Sequence, residues 1–285
     1  MKEILYLSDF LSSEISGGAE INDEEFLSRL KAHYKDGINL TICKCIDVKY
    51  DLIKSSDLII LSNFISLSPF LLDYISEYKK YILYEHDHKY LKTRQPNLYK
   101  DFTAPVDHVI NQKVYKNALE VFVQSSFHEK ILKNNLEIDN VYNISGNFWS
   151  EEILKYMRAL SKNPKEFEGF SIMDSNISHK NTLGCIKVCE KLERNFRLIK
   201  GDYKVFLRNM SKTTSFLFIP LTTETLSRIV VEAKLMGCRV MTSSMVGATH
   251  ESWFKLPAVD LLEYIENRMN EVILHTADLI NENCD

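Results

Sequence analysis

Glycine and proline are scarce in this sequence, with 9 Gly and 6 Pro among 285 residues. This scarcity excludes a collagen-like or low-complexity chain. An excess of one charge is also lacking, because 35 Lys and Arg stand against 39 Asp and Glu, whereas a dedicated nucleic-acid domain would be basic. The most apolar stretch, residues 58–72, is interrupted by polar residues and is too short to cross a bilayer. We therefore expect a globular chain with no transmembrane segment, located in the cytoplasm or peripherally on a membrane.

Paired cysteine motifs are absent as well. The six cysteines are Cys43, Cys45, Cys185, Cys189, Cys238 and Cys284. Their scattered spacing favours neither a disulfide framework nor a zinc site. We expect buried free thiols, as in a protein of a reducing cytoplasm.

Short apolar runs alternate with helical patterns along the chain. In the first half, the predicted strands are residues 4–7, 38–43, 58–61, 81–84, 119–123 and 141–144, and the predicted helices are 19–34, 69–80 and 127–135. After a polar connection at 161–168, strands are predicted at 170–173, 215–219 and 239–242, and helices at 182–192 and 225–236. This order predicts an α/β protein with two Rossmann-like, doubly wound domains facing a cleft, at residues 1–150 and 151–285.

The loops that follow predicted strands are candidate sites, because open α/β sheets bind ligands beyond the carboxyl ends of their strands. Residues 16–20 (SGGAE) place Gly17 and Gly18 before a helix, where a backbone can approach a phosphate closely, although a helix cap explains the same residues. Residues 85–88 (EHDH) place His86 at a strand end, where it can bind a sugar or orient a proton. A metal at His86 and His88 would need further ligands, and a polar loop with one satisfied histidine is the plain alternative.

Two further patterns carry charge. The stretch from Lys89 to Lys100 interleaves basic and aromatic residues, which either bind an anionic acceptor or form a solvated face. Glu224 follows an apolar strand, and Glu232 lies eight positions later on the next predicted helix. At the start of that helix, Glu224 would lie where the dipole favours anions, with Glu232 on the same face two turns later. Helix capping and a solvated carboxylate are the alternatives.

These residues resemble a known family. Glu224-x7-Glu232, followed by MGCRV at 236–240, resembles the Glu-x7-Glu signature of retaining GT-B glycosyltransferases. Residues 17–20 resemble the family's glycine loop, His86 and Asp87 its active-site histidine region, and residues 123–128 (VQSSFH) the segment closing its first domain. Residues 178–181 (SHKN) resemble its donor-phosphate loop. The matches occur in the family's order and cover most of the chain.

The resemblance implies a hexosyl- or pentosyltransferase that takes a nucleotide-diphosphate sugar and retains the anomeric configuration. It implies no metal and no cofactor beyond the donor substrate. The donor-binding residues it implies are Gly17, Gly18, Lys180, Thr225, Leu226, Ser227 and Glu232. Lys180 would bind the diphosphate, Glu232 the ribose, and Glu224 the transferred sugar, while His86 would line the reaction centre. The acceptor stays open among a glycan, a lipid phosphate and a nucleic acid, and the predicted helix at 260–280 would pack back toward the first domain.

The sequence departs from the family in three places. Ser175 stands where an Arg usually precedes the phosphate-loop Lys, and Thr225 where a Gly usually follows the first Glu. Arg228 either replaces that Arg or forms a surface ion pair. The interval from Lys180 to Glu224 is short, which predicts that a βα unit is missing. A second hypothesis is therefore a catalytically silent nucleotide-sugar-binding or interaction protein on the same fold. An ordinary Rossmann oxidoreductase is disfavoured because GxGxxG is absent.

Overall fold

A computed structural model describes residues 1–14 and 17–284, so residues 15 and 16 of the predicted glycine loop lie outside the description. Its first sheet has six parallel strands. They are β1 (Lys2–Ser8), β2 (Ile38–Lys44), β3 (Leu58–Leu61), β4 (Tyr81–Tyr84), β5 (Glu120–Val123) and β6 (Val141–Asn143). Their order in the sheet is β2-β1-β3-β4-β5-β6. The central strands β3 and β4 are buried along their whole length, which explains their continuous apolar runs.

Helices connect these parallel strands. They are α1 (Gly18–Tyr34), α2 (Tyr50–Ser55), α3 (Pro69–Tyr78), α4 (Gln112–Lys116) and α5 (Ser126–Asn135). Serine side chains begin two of them, because Ser68 accepts a hydrogen bond from the Leu71 amide and Ser125 from the His128 amide. The chain therefore winds repeatedly through strand and helix, which places the strand ends at one edge.

The second sheet has four parallel strands. They are β7 (Phe167–Met173), β8 (Phe196–Ile199), β9 (Thr213–Phe218) and β10 (Arg239–Thr242), in the order β10-β9-β7-β8. Its helices are α6 (Glu151–Ser161), α7 (Thr182–Lys191), α8 (Tyr203–Ser211), α9 (Arg228–Leu235) and α10 (Ala258–Asn283). Cys185 and Cys189 lie on one face of α7 and pack with Ile172 and Leu217 in the core. All six cysteines are free thiols; five are buried, and Cys43 is half-buried.

The chain divides into two compact units. The second comprises Trp149–Glu266, and the first comprises Met1–Phe148 and the residues from Asn267 onward. The last part of α10 thus belongs to the first unit, where Arg268 donates hydrogen bonds to the carbonyls of Asn143 (2.6 Å) and Ile144 (2.9 Å). No helix within residues 1–14 and 17–284 has the length and apolar character needed to cross a bilayer.

The predicted α/β class with two Rossmann-like sheets is confirmed. One strand and one helix of the second unit were missed. Strand β8 lies at the edge of its sheet and is only partly buried. Arg197 interrupts its apolar residues, so no continuous apolar run marks this strand in the sequence. Helix α8 begins after Asp202, whose side chain accepts from the Val205 amide at 2.9 Å. The interval between Lys180 and Glu224 contains α7, β8, α8 and β9.

Candidate functional site

Lys180 and Glu224 contact each other at the carboxyl edge of the second sheet. The ammonium of Lys180 donates to Oε1 of Glu224 at 2.8 Å, and both side chains are largely buried. The loop of Lys180 is held to the end of β9, because Asn181 donates to the Ile219 carbonyl (2.8 Å) and the Leu221 amide to the His179 carbonyl (2.9 Å). Two residues that are 44 positions apart thus form one charged pair.

Glu224 does not stand at the start of a helix, contrary to the prediction. Helix α9 begins at Arg228, and Ser227 before it has φ 74° and ψ 88°. The Glu224 amide donates to the Met245 carbonyl (2.8 Å), and the Gly247 amide to the Glu224 carbonyl (2.9 Å). These bonds hold Glu224 in an extended, strand-like pairing. Glu224 and Glu232 therefore do not lie on one face of the same helix.

The three residues between Glu224 and α9 lie outside the observed helix, although the predicted helix at 225–236 included them. They are Thr225, Leu226 and Ser227. Leu226 is fully buried and its carbonyl accepts from the Ala248 amide at 3.0 Å. The first turn of α9 therefore starts three residues later than the sequence pattern indicates.

Glu232 is buried at the fifth position of α9, with 1 % of its surface exposed. Its Oε1 accepts hydrogen bonds from the Trp149 indole N–H (3.0 Å) and the Tyr203 hydroxyl (2.6 Å). Across the described residues, neither its Oε2 nor the buried Oγ of Ser227 has a hydrogen-bond partner. The start of α9 thus presents two buried polar atoms that a ligand can satisfy.

The ion pair between Arg228 and Glu232 is buried. Its guanidinium lies 4.6 Å from the Trp149 ring centre, and its Nε is 3.6 Å from Oε1 of Glu232. The side chain is 8 % exposed. Arg228 is therefore a buried cation beside the carboxylate of Glu232. Ser175 lies in the loop after β7, where its amide donates to Thr182 Oγ1 at 3.1 Å.

In the first unit, His86 lies in a buried polar network after β4. Its Nε2 is 2.7 Å from Asp23 Oδ1, and its Nδ1 is 3.0 Å from the side-chain amide nitrogen (Nε2) of Gln124. Asp23 Oδ2 accepts from the hydroxyls of Tyr6 and Ser62, each at 2.6 Å. Burial raises the pKa of Asp23, but the His86 ring and the hydroxyl donors outweigh it, so the pKa lies below its usual value.

The two predicted glycines lie at the N-terminus of α1. Gly17 is the N-cap with φ −84°, and Gly18 is the first helical residue. Neither adopts a positive φ, so these positions do not need glycine for their backbone conformation. A close approach of a ligand remains the predicted reason for glycine here.

In the stretch from Lys89 to Lys100, which was predicted either to bind an anionic acceptor or to form a solvated face, the first basic residue is not at the surface. Lys89 is fully buried and donates to Glu85 (2.9 Å), Asp87 (3.1 Å) and Asn63 (3.2 Å). Arg94 pairs with Asp87 at 3.0 Å. Carboxylates therefore neutralise Lys89 and pair with Arg94, whereas the side chains of Lys92 and Lys100 are exposed to solvent.

A cavity of ≈ 370 Å³ lies between α1 and β2. Tyr6, Leu27, Leu40 and Ile42 form its apolar wall, and Glu20 of α1 lines it as well. Burial raises the pKa of Glu20, although the nearby His86 ring opposes this effect. The cavity therefore combines an apolar wall with a partly desolvated carboxyl group.

Within the part of the chain that the structure describes, no three His, Cys, Asp or Glu side chains are grouped so that they could hold a metal ion. His86 pairs with Asp23, and His88 pairs with the Tyr90 hydroxyl at 2.8 Å. The two histidines of the EHDH motif thus belong to separate hydrogen-bonded groups.

His88 and His128 form a buried pair with ring centres 5.0 Å apart. His128 Nδ1 accepts a hydrogen bond from the backbone amide of Gln124 at 3.3 Å. Burial lowers the pKa of His88 to about 4, although Glu85 opposes this effect, and burial lowers the pKa of His128 well below its usual value. Both rings are therefore neutral in the folded protein near neutral pH.

We expect this pair to make folding stability fall between pH 7 and pH 5. The unfolded chain binds protons at these histidines near pH 6.5, whereas folded His88 does so only near pH 4, so unfolding takes up protons and stability is lost as pH falls. The loss from His88 alone should be about 2 kcal/mol at pH 5. Urea unfolding at both pH values checks it. H88Q should flatten the pH slope, whereas the exposed control H33Q should not; an unchanged slope in H88Q would contradict the assignment.

No protein-family model and no curated protein matches the sequence. Solved structures do match. A sucrose-phosphate synthase from Thermosynechococcus elongatus has a TM-score of 0.60 at 10 % identity, covering 99 % of each chain. An alpha-glucosyltransferase in complex with UDP-glucose and DNA containing an abasic site has a TM-score of 0.54 at 14 % identity, covering 99 % of this chain and 93 % of that one.

A third similar structure is Anabaena HepE in complex with UDP and glucose. Its TM-score is 0.51 at 13 % identity, and the match covers 100 % of this chain and 96 % of that one. The chain has the GT-B fold. At these identities, the likeness establishes the fold, and the residues of the site must carry any statement about activity.

Sequence reasoning missed three residues of these networks. Asp23 lies among the apolar core positions of α1, and a charged residue on a buried helix face is a signal that could have identified it. Trp149 lies next to Ser150, the N-cap of α6, and Tyr203 begins α8. Their contact with Glu232 joins separate elements, so no spacing in the sequence indicates it.

Proposed function

We propose that this protein is a glycosyltransferase that moves a sugar from a nucleotide-diphosphate donor to an acceptor hydroxyl with retention of configuration. The observation that carries the proposal is the buried Glu232, whose Oε2 has no partner in the described chain, in the same unit as the Lys180–Glu224 pair. A carboxylate accepts hydrogen bonds and donates none, so this oxygen suits a ligand with hydroxyl groups. The family resemblance assigns the same residue to the ribose.

In the proposed mechanism, the diphosphate takes the place of Glu224 beside Lys180. The ammonium then stabilises the negative charge that grows on the leaving diphosphate, and the N-terminus of α9 adds a favourable dipole. Glu224, released from Lys180, accepts hydrogen bonds from the hydroxyls of the transferred sugar. The bond between C1 and the phosphate oxygen breaks, the acceptor oxygen bonds to C1 on the same face, and the acceptor proton passes to the leaving phosphate. Lys180 supplies the positive charge, so the proposal involves no metal ion.

We propose that the acceptor is an uncharged hydroxyl compound with an apolar group. The cavity beside α1 supports this, because its wall is apolar and Glu20 would repel an anion. Lys89 is buried and bonded to carboxylates, so its charge is not available to a phosphate-bearing acceptor. A partly desolvated carboxyl group is best satisfied by a hydroxyl donor.

A binding experiment tests the proposal. Thermal unfolding should be followed with UDP, GDP, ADP, dTDP and NAD, because a ligand that binds the folded state raises the melting temperature. We expect at least one nucleoside diphosphate to stabilise the protein and NAD to have no effect. Stabilisation by NAD without any response to the diphosphates would favour the oxidoreductase alternative instead.

Replacing Lys180 with alanine should weaken nucleoside-diphosphate binding. The change removes a charged hydrogen bond of roughly 1.5–3 kcal/mol, which corresponds to roughly 10- to 150-fold in affinity. Calorimetry on K180A checks this. The matched control is K200A, because Lys200 pairs with Asp174 (3.3 Å) in the same unit and is 79 % exposed. Equal affinities in both variants would remove Lys180 from the phosphate site.

A further inference from the structure

The carboxylate of Glu232 has two different oxygens. Oε1 receives two hydrogen bonds, from the Trp149 indole at 3.0 Å and from the Tyr203 hydroxyl at 2.6 Å, and the guanidinium of Arg228 lies 3.6 Å from it. Oε2 is equally buried but has no partner among the residues that the structure describes. All donors thus converge on one oxygen, and the other is left for a ligand.

Leaving a buried carboxylate oxygen without a donor is costly, since a charged group loses its hydration there. Ser227, which precedes α9, likewise has a buried Oγ without a partner in the described residues. Two such atoms within six residues indicate that this position is built for a ligand that brings its own donors. A ribose offers two adjacent hydroxyls of this kind.

Trp149 and Tyr203 hold the carboxylate from two different elements. Trp149 is 1 % exposed, and its ring is covered by the Arg228 guanidinium at 4.6 Å. Burial and the charge of Glu232 raise the pKa of Tyr203, which keeps its hydroxyl protonated as a donor. Because both donors bind Oε1, they fix the rotation of the carboxylate about its bond to Cγ. Oε2 therefore points in one fixed direction.

We propose that Trp149 and Tyr203 are positioning residues that aim Oε2 of Glu232 at the ribose hydroxyls and thereby make the protein select ribonucleotides over 2′-deoxyribonucleotides. The inference rests on the proposed function, because it takes the ligand to be a nucleoside diphosphate. Neither side chain contacts the ribose in this proposal. Their effect should therefore appear in the preference for ribose rather than in binding of the diphosphate.

Calorimetry with UDP, GDP and ADP and their 2′-deoxy forms tests this. Wild type should prefer the ribose form of its best ligand at least tenfold. Y203F and W149F should each reduce that preference to threefold or less by weakening the ribose form alone. The matched control is Y156F, which removes a tyrosine hydroxyl bonded to the Lys204 carbonyl at 3.3 Å in the same unit; its preference should equal that of wild type.

A double variant separates positioning from general damage. If Tyr203 acts through Glu232, then E232A and Y203F/E232A should show the same reduced preference, because alanine leaves no polar group for Tyr203 to position. Y203F is the smaller change and keeps the test valid if W149F does not fold. An unchanged ribose preference in folded Y203F would overturn the inference alone. Failure of wild type to bind any diphosphate would overturn the proposed function together with it.

Discussion

Replacing Glu224 with glutamine should lower sugar transfer about a hundredfold and leave nucleoside-diphosphate affinity unchanged or slightly tighter. The amide lacks the charge with which Glu224 would meet the transferred sugar, and a hundredfold loss corresponds to about 2.7 kcal/mol of transition-state stabilisation. Affinity should not fall, because Lys180 at 2.8 Å loses its carboxylate partner and then faces the diphosphate without that competition. Steady-state turnover beside calorimetry measures both quantities.

The matched control for this variant is E190Q. Glu190 is an exposed carboxylate of α7 in the same unit. Its replacement should leave turnover and affinity at wild-type values. A Glu224 variant that binds and turns over like E190Q would show that the Lys180–Glu224 pair only holds the loop.

Replacing His86 with asparagine should also lower transfer about a hundredfold, and it should destabilise the fold. The resemblance assigns His86 to the reaction centre, whereas the structure shows both ring nitrogens within a buried network. Removing the ring leaves the buried Asp23 carboxylate without the hydrogen bond from His86, which should cost about 1.5–3 kcal/mol of stability. Urea unfolding and turnover per folded molecule should be measured on the same samples.

The two measurements separate the possible roles of His86. Loss of turnover per folded molecule at full nucleotide affinity would agree with a role at the reaction centre. Loss of stability with normal turnover per folded molecule would mean that His86 only supports Asp23 and Gln124. H33N, at the exposed end of α1, is the control and should change neither quantity.

The fold could be predicted from the sequence because buried parallel strands leave a strong signal. The runs at β3 and β4 contain only apolar and aromatic residues, and their bounds agree with the structure. The edge strand β8 gave no such signal, since Arg197 interrupts it. The start of α9 was placed three residues early because hydrogen bonds to residues 245–248, distant in sequence, keep Glu224–Ser227 out of the helix.

The site could be predicted only in its parts. The spacing singled out Glu224 and Glu232, and the family resemblance added Lys180. Neither indicated the contact between Lys180 and Glu224, because that pair depends on how two loops fold onto β9. The sequence pattern indicated a surface cation at Lys89. In the structure Lys89 is buried because Glu85 and Asp87 accept hydrogen bonds from its ammonium group, and these contacts are not visible in the sequence. A pattern in the sequence indicates residue types, whereas a tertiary contact decides which charges stay available.

The most direct test of the proposed activity is the fate of a nucleotide sugar mixed with the protein. NMR should follow UDP-, GDP-, ADP- and dTDP-glucose for release of the nucleoside diphosphate and for the configuration of the sugar when it is first released or transferred. A retaining glycosyltransferase should release the diphosphate from at least one donor, yield the sugar first in the donor's own configuration, and lose this activity in E224Q. Tight nucleotide binding without any release, in the presence of uncharged hydroxyl acceptors, would contradict the proposed catalysis and identify a silent binder.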